Sequence, residues 1–138
     1  MAPQVKSIFI NLPVEDLTKS VDFFSRLGFD FDPLYTDENA SCLILKEGVF
    51  VTLILKDYFK SYTGKEVPDA ATETEVMVTL VAAKKNLVIE FLEKALALGA
   101  TEQKVENTEK YIYYRRFTDL DGHLWELLYY DASEMIYQ

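Results

Sequence analysis

In the stretch TDLDGHLWELLYY, residues 118–130, the run after His123 sets a single carboxylate, Glu126, among leucine, tryptophan and tyrosine. An Asp-Gly pair precedes the run and aromatic residues fill it, which reads as a turn feeding a β-strand. Side chains alternate along a strand, so Glu126 shares one face with Leu124, Leu128 and Tyr130, while His123, Trp125, Leu127 and Tyr129 take the other. A carboxylate so placed has three uses: metal ligand, general base or acceptor for a ligand NH or OH, and half of an ion pair. On a low-dielectric face the neutral acid is favoured, which suits proton transfer near neutrality. Ion pairing requires a cation from the neighbouring strand, where YYRRF offers Arg115 and Arg116. Those two alternate to opposite faces, so only one of them reaches Glu126. Left without such a partner, a charge beside apolar groups would be costly.

Other reactive types are scarce. His123 is the only histidine, so a site built from two or three imidazoles of one chain is excluded. His123 follows Asp121-Gly122 in the turn, on the face opposite Glu126, where a place in the turn or helix-side packing stands against acid–base work. The only cysteine, Cys42, has no disulfide partner within the chain and reads as a buried thiol in the alternating stretch ASCLILKE. A net charge of −9 argues against nucleic acid and charged lipid surfaces as partners. MAPQVKS carries no apolar stretch of signal length, and no segment approaches about 18 uninterrupted apolar residues, which points to a cytoplasmic protein.

The elements that must position these residues come in a repeated order. KSIFINLPV reads as a strand over 6–12, and Asp16 stands where a helix N-cap belongs. Leu17, Val21, Phe24 and Leu27 follow at helical spacing, and Gly28 stops the helix. FDFDPLYT, ASCLILKE and GVFVTLILK read as three strands. Residues 57–73 break the pattern as a short helical turn and loop, the one candidate linker. TEVMVTLVA is then a strand, and KKNLVIEFLEKALALG a helix with Val88, Leu92, Ala95 and Leu98 on one stripe, stopped by Gly99. Three strands close the chain: EQKVEN, KYIYYRRFTD and GHLWELLYYD.

The order is therefore βαβββ twice. RLGF at 26–29 answers ALGA at 97–100, an offset of 71, and EGVFVTLIL at 47–55 answers DGHLWELLY at 121–129, an offset of 74. By the second offset, Thr52 stands where Glu126 stands. The reading is one α+β domain over 1–138, with a first module at 6–56, a linker at 57–73 and a second module at 74–131. The two modules pair into a curved mixed sheet with a concave cleft and helices on the outer face. Phe9, Asn11, Phe50, Thr52, Leu124 and Glu126 share the parity of the cleft, an apolar floor with a few polar points suited to a small molecule. The same face is equally open to closure by the other half or by a second subunit. Tyrosines cluster at 111–114 and 129–130, where they serve a planar ligand or an interface equally well.

The segments IFINLPVEDLTKSVDFFSRLGF, FLEKALALGA and FTDLDGHLWELLYYD together resemble the vicinal oxygen chelate superfamily. That group includes glyoxalase I, extradiol dioxygenases, and bleomycin and fosfomycin resistance proteins. The likeness runs over about residues 6–131 and is nearest to the uncharacterised glyoxalase-like members. It implies a homodimer and a small-molecule ligand. Metal-binding members place a histidine where Phe9 stands, a second histidine at about Val76 or Val78, and a glutamate where Glu126 stands. A further glutamate of glyoxalase I falls on Thr52. With Glu126 alone retained, no divalent metal and no other cofactor is expected. The first functional expectation is metal-independent binding of a small organic molecule in the cleft. The second is a lactoylglutathione-lyase-like or other lyase or isomerase, with Glu126 as base and Arg116, Tyr114 or Thr52 orienting the substrate. A third is a structural or interaction module whose cleft is filled.

Overall fold

A computed structural model describes residues 2–107 and 110–136. The chain divides into two compact units, 1–68 and 69–138. The first unit carries β1 (Ile8–Val14), α1 (Leu17–Leu27), β2 (Phe31–Asp32), β3 (Ala40–Lys46), β4 (Val49–Leu55) and α2 (Lys56–Thr63). The second carries β5 (Met77–Val81), α3 (Lys85–Ala97), β6 (Thr101–Gln103), β7 (Ile112–Thr118), β8 (Leu124–Tyr130) and α4 (Ala132–Ile136). Each unit holds a four-stranded sheet, in the orders β1-β4-β3-β2 and β5-β8-β7-β6. In both, the first strand runs parallel to the last and the remaining pairs are antiparallel. The βαβββ repeat read from the sequence is thus the repeat of the fold.

Helix α1 begins where its cap chemistry dictates. The Asp16 carboxylate accepts from the Lys19 amide at 3.0 Å, satisfying a donor that the first helical turn leaves free. At the other end Gly28 takes a left-handed conformation, φ 112°, and its amide donates back to the helix. The helix buries Phe23, Phe24 and Leu27 against β3 and β4, over Leu43, Val51 and Leu53. In the second unit α3 buries Val88, Leu92 and Ala95 against β7 and β8, where Phe117 and Trp125 stack at 6.3 Å. Leu98, the last member of the expected stripe, is half-buried. Each large apolar side chain removed from water in this way stabilises the unit by roughly 1.5–3 kcal/mol. Cys42 is fully buried, and burial pushes its thiol above the ordinary value.

One strand differs from its sequence reading. FDFDPLYT forms only two strand residues before a 3₁₀ turn at Pro33–Tyr35. Proline presets the helical φ, and the Asp32 carboxylate accepts the Leu34 amide at 2.9 Å, so the local turn outcompetes the sheet ladder. Leu34 and Tyr35 are left exposed.

The turn ahead of β8 is built on Asp119, a residue that the sequence reading passed over. One of its oxygens accepts the amides of Asp121 and His123 at 3.0 Å each, and the other accepts the Trp125 indole at 3.1 Å. Burial pushes this carboxyl above its usual value, against the opposing pull of His123 and the hydrogen bonds. His123 thus belongs to the turn through its backbone, as one of the two structural readings held. Gly122 has φ 92°, and a Cβ there would lie 2.8 Å from the Ala71 nitrogen. Gly122→Ala should therefore cost about 2 kcal/mol in urea unfolding, from the left-handed backbone and the displaced 70–71 segment. Because the folded state holds the Asp119 proton more tightly than the unfolded chain, this group's contribution is largest in acid. It declines as pH rises from the ordinary carboxylate value through the raised one. Asp119→Asn should flatten that decline in urea midpoints measured across the window; an unchanged slope would mean that another group sets it.

Candidate functional site

Strand parity sorts the candidate residues within each unit. In the first, β1 and β4 pair in the register Phe9 with Phe50 and Asn11 with Thr52. These four lie on the face opposite Leu12, Val51 and Leu53, which α1 covers. Phe9 stacks on Phe50 at 4.7 Å with 17° between the rings, and the Tyr35 ring stands edge-on to Phe9 at 5.3 Å. Phe9, Asn11 and Thr52 floor an open groove of about 720 Å³. Phe50, expected in the cleft, is not among the lining residues and stacks on Phe9 from the neighbouring strand.

The walls come from two segments. On one side stand Leu34 and Tyr35 of the 3₁₀ turn together with Asp37. On the other stands α2, which packs on β1 and β4 and contributes Tyr58, Phe59 and Tyr62. Tyr58 and Tyr62, one helical turn apart, meet edge-to-face at 5.0 Å with their hydroxyls 3.4 Å apart. Cys42 pairs with Thr52 across β3 and β4, and the Thr52 hydroxyl opposes the rise that burial imposes on the Cys42 thiol. The Asn11 amide is exposed and takes no hydrogen bond from the described residues, so both its donors and its acceptor face the groove unused. Tyr35, Tyr58 and Tyr62 escape the sequence reading because FDFDPLYT reads as strand and 57–73 as a short helical turn and loop in a linker. Tyrosines spaced i, i+4 in DYFKSYT were the available signal.

In the second unit, Glu126 pairs across the sheet with Thr79 on β5 and with Arg116 on β7. The Arg116 Nε donates to Glu126 Oε2 at 2.9 Å, and the Thr79 hydroxyl donates to Oε1 at 3.1 Å. The Arg116 guanidinium also lies over the Tyr114 ring, at 5.4 Å. Tyr114 is tethered in turn, its hydroxyl donating to the Glu106 carbonyl at 2.9 Å. Arg115 points the other way and takes Glu102 at 2.8 Å and the Tyr113 hydroxyl at 3.0 Å. The sequence left the choice between Arg115 and Arg116 open, and the register settles it for Arg116. Leu124 precedes Glu126 on the same face, paired with Met77 and Thr118.

One sequence assignment is corrected. Val78 pairs with Trp125 and is buried on the α3 side, and Val76 lies ahead of β5 and is exposed. The β5 residues on the Glu126 face are Met77 and Thr79, because a strand changes face at every residue. Val78, one of the two positions that the resemblance matches to a second histidine, therefore does not share the face of Glu126.

The family model described as bleomycin resistance protein-like N-terminal matches residues 6–44. The chain is similar to the solved structure of hypothetical protein SA1046 from S. aureus, with 26% identity, 92% of this chain and 95% of that one covered, and a TM-score of 0.78. A glyoxalase/bleomycin resistance protein/dioxygenase family enzyme from Burkholderia phytofirmans matches at 14% identity, with coverages of 89% and 97% and a TM-score of 0.75. The fosfomycin resistance protein FosX from Listeria monocytogenes, complexed with Mn(II) and sulfate, matches at 19% identity over 100% of both chains, with a TM-score of 0.71. The fold is that of the vicinal oxygen chelate superfamily. No curated protein matches the sequence. Among the described residues, no helix is long and apolar enough to cross a membrane.

Glu126 is buried, its side chain 9% exposed, against 29% for Arg116. Arg116→Leu should strand that carboxylate and cost about 2 kcal/mol in urea unfolding, the usual penalty for breaking a buried pair reduced by the water that reaches the guanidinium. Adding Glu126→Leu should recover most of the loss; a double mutant no better than the single would show that the pair is not the source.

Proposed function

We propose that this protein binds a small organic molecule in the aromatic groove of its first unit, without a divalent metal. The observation that carries this reading is the groove itself: Phe9, Tyr35, Tyr58 and Tyr62 offer ring surface, while the Asn11 amide and Thr52 hydroxyl offer a few directional hydrogen bonds. Apolar walls with sparse polar points are the usual make-up of small-molecule sites.

The metal-free reading rests on donor chemistry. Of the positions that the resemblance matches to metal ligands, the first unit has Phe9 and Thr52, and the second has Val76 or Val78 and Glu126. The carboxylate is already engaged by Arg116 and Thr79. A hard divalent cation needs several oxygen or imidazole donors, and this set does not fit one. Among the described residues no three His, Cys, Asp or Glu side chains gather as a cage. A lyase working through Glu126 would first have to free that carboxylate from the guanidinium. Exposed Ile8, Met77, Val81 and Tyr130 support the further reading that two copies associate, and the net charge of −9 speaks against a nucleic-acid or anionic-lipid partner.

The test is a panel of cationic, neutral and anionic ring compounds, screened by amide chemical-shift mapping. Binders should move the resonances of Asn11, Tyr35, Thr52 and Tyr58, and Tyr35→Ala should weaken them by about tenfold, as expected for losing one stacking surface. Shifts confined to other surfaces, or unaltered affinity in Tyr35→Ala, would overturn the assignment.

A further inference from the structure

The groove has a charge character that its aromatic lining alone does not convey. Asp37 is the one charged side chain among the residues that line it. Its Oδ1 is fixed by the Asn39 and Ala40 amides at 2.8 and 3.0 Å, which holds the carboxylate in one orientation at the groove wall. Tyr62, desolvation and, last, the Asp37 charge together push the Tyr58 phenol above its ordinary value.

No cation of the groove wall offsets it. Helix α2 carries two lysines, and both are directed at carboxylates that do not line the groove. Lys56 reaches Glu15 at 3.2 Å and Lys60 reaches Glu66 at 2.8 Å. What remains is a fixed carboxylate beside Tyr35, Tyr58, Tyr62 and Phe9, whose ring faces are themselves the negative pole of an aromatic quadrupole. A ligand anion would meet repulsion from both, and a neutral ligand would gain only contact area and hydrogen bonds. A protonated or quaternary amine would gain from both at once.

We infer that the ligand of this groove is an organic monocation, its ammonium group held by the tyrosine rings and Asp37. This rests on the groove being a binding site and names the class of molecule that it takes. Charge complementarity also accords with the chain's overall −9, which raises the local concentration of cations.

The experiment compares choline with its uncharged isostere 3,3-dimethylbutan-1-ol, and both with benzoate, by calorimetric titration of the full chain at low and moderate salt. Choline should bind at least tenfold more tightly than the isostere, with affinity falling as salt rises, and benzoate should not bind. Asp37→Asn keeps the Oδ1 acceptor for both loop amides and should reduce choline affinity about fivefold while leaving the isostere unchanged. Tyr35→Leu keeps the apolar volume but removes a ring, and should cut choline binding more than isostere binding. Equal affinity for the charged and uncharged probes, or benzoate binding at the groove, would overturn the cationic class while leaving small-molecule binding intact. If no probe binds, and the ring panel also finds nothing in the groove, both readings fall together.

Discussion

Side-chain alternation on sheets that a helix seals from one side governs both halves of this molecule. Once α1 claims Val51 and Leu53, the residues of opposite parity, Phe9, Asn11 and Thr52, have to face away from the helix. Once α3 claims Trp125 and Leu127, Thr79, Arg116 and Glu126 are committed in the same way. A one-residue slip in either sheet would send the polar rows into the helix interface, at the cost of burying unpaired polar groups. The helix-side cores therefore hold the register, and the register places the polar groups.

The duplicated rows show how one scaffold position diverges. In the first unit the row across the sheet runs Asn11, Thr52, Cys42; in the second it runs Thr79, Glu126, Arg116. The first row is neutral, and burial pushes the thiol at its end above the ordinary value. The second holds a carboxylate and a guanidinium that neutralise one another, with a hydroxyl on the remaining oxygen. The second row is locally complete, whereas the first leaves its Asn11 amide unused. A neutral row leaves an adjacent amide free to meet a ligand, whereas an ion pair spends its donors and acceptors internally.

Helices following the last strand of each unit extend the repeat, α2 after β4 and α4 after β8. Their lengths differ, eight residues against five. The longer one is what raises a wall of tyrosines beside the first sheet. The second wall exists because Pro33 ends β2 early and turns Leu34 and Tyr35 outward. The groove thus arises where the chain departs from regular sheet, on a floor that regular sheet supplies.

Much of this was written in local sequence. Period-two and period-3.6 patterns located the strands and helices, the Asp16 and Gly28 caps bounded α1, and the matching EGVFVTLIL and DGHLWELLY runs disclosed the duplication, because each depends only on neighbours a few residues apart. Parity alone put Phe9, Asn11 and Thr52 on one face and Glu126 on the face opposite Trp125. What the sequence left open were the pairings across strands: Arg116 rather than Arg115 for Glu126, Thr79 rather than a valine beside it, and Asp119 beneath the Trp125 indole. Those depend on which strand lies next to which and in what register, and no local pattern encodes that. The tyrosine walls needed tertiary structure for the same reason, since Tyr35 and Tyr58 become neighbours of Phe9 only once the 3₁₀ turn and α2 have folded back over the sheet.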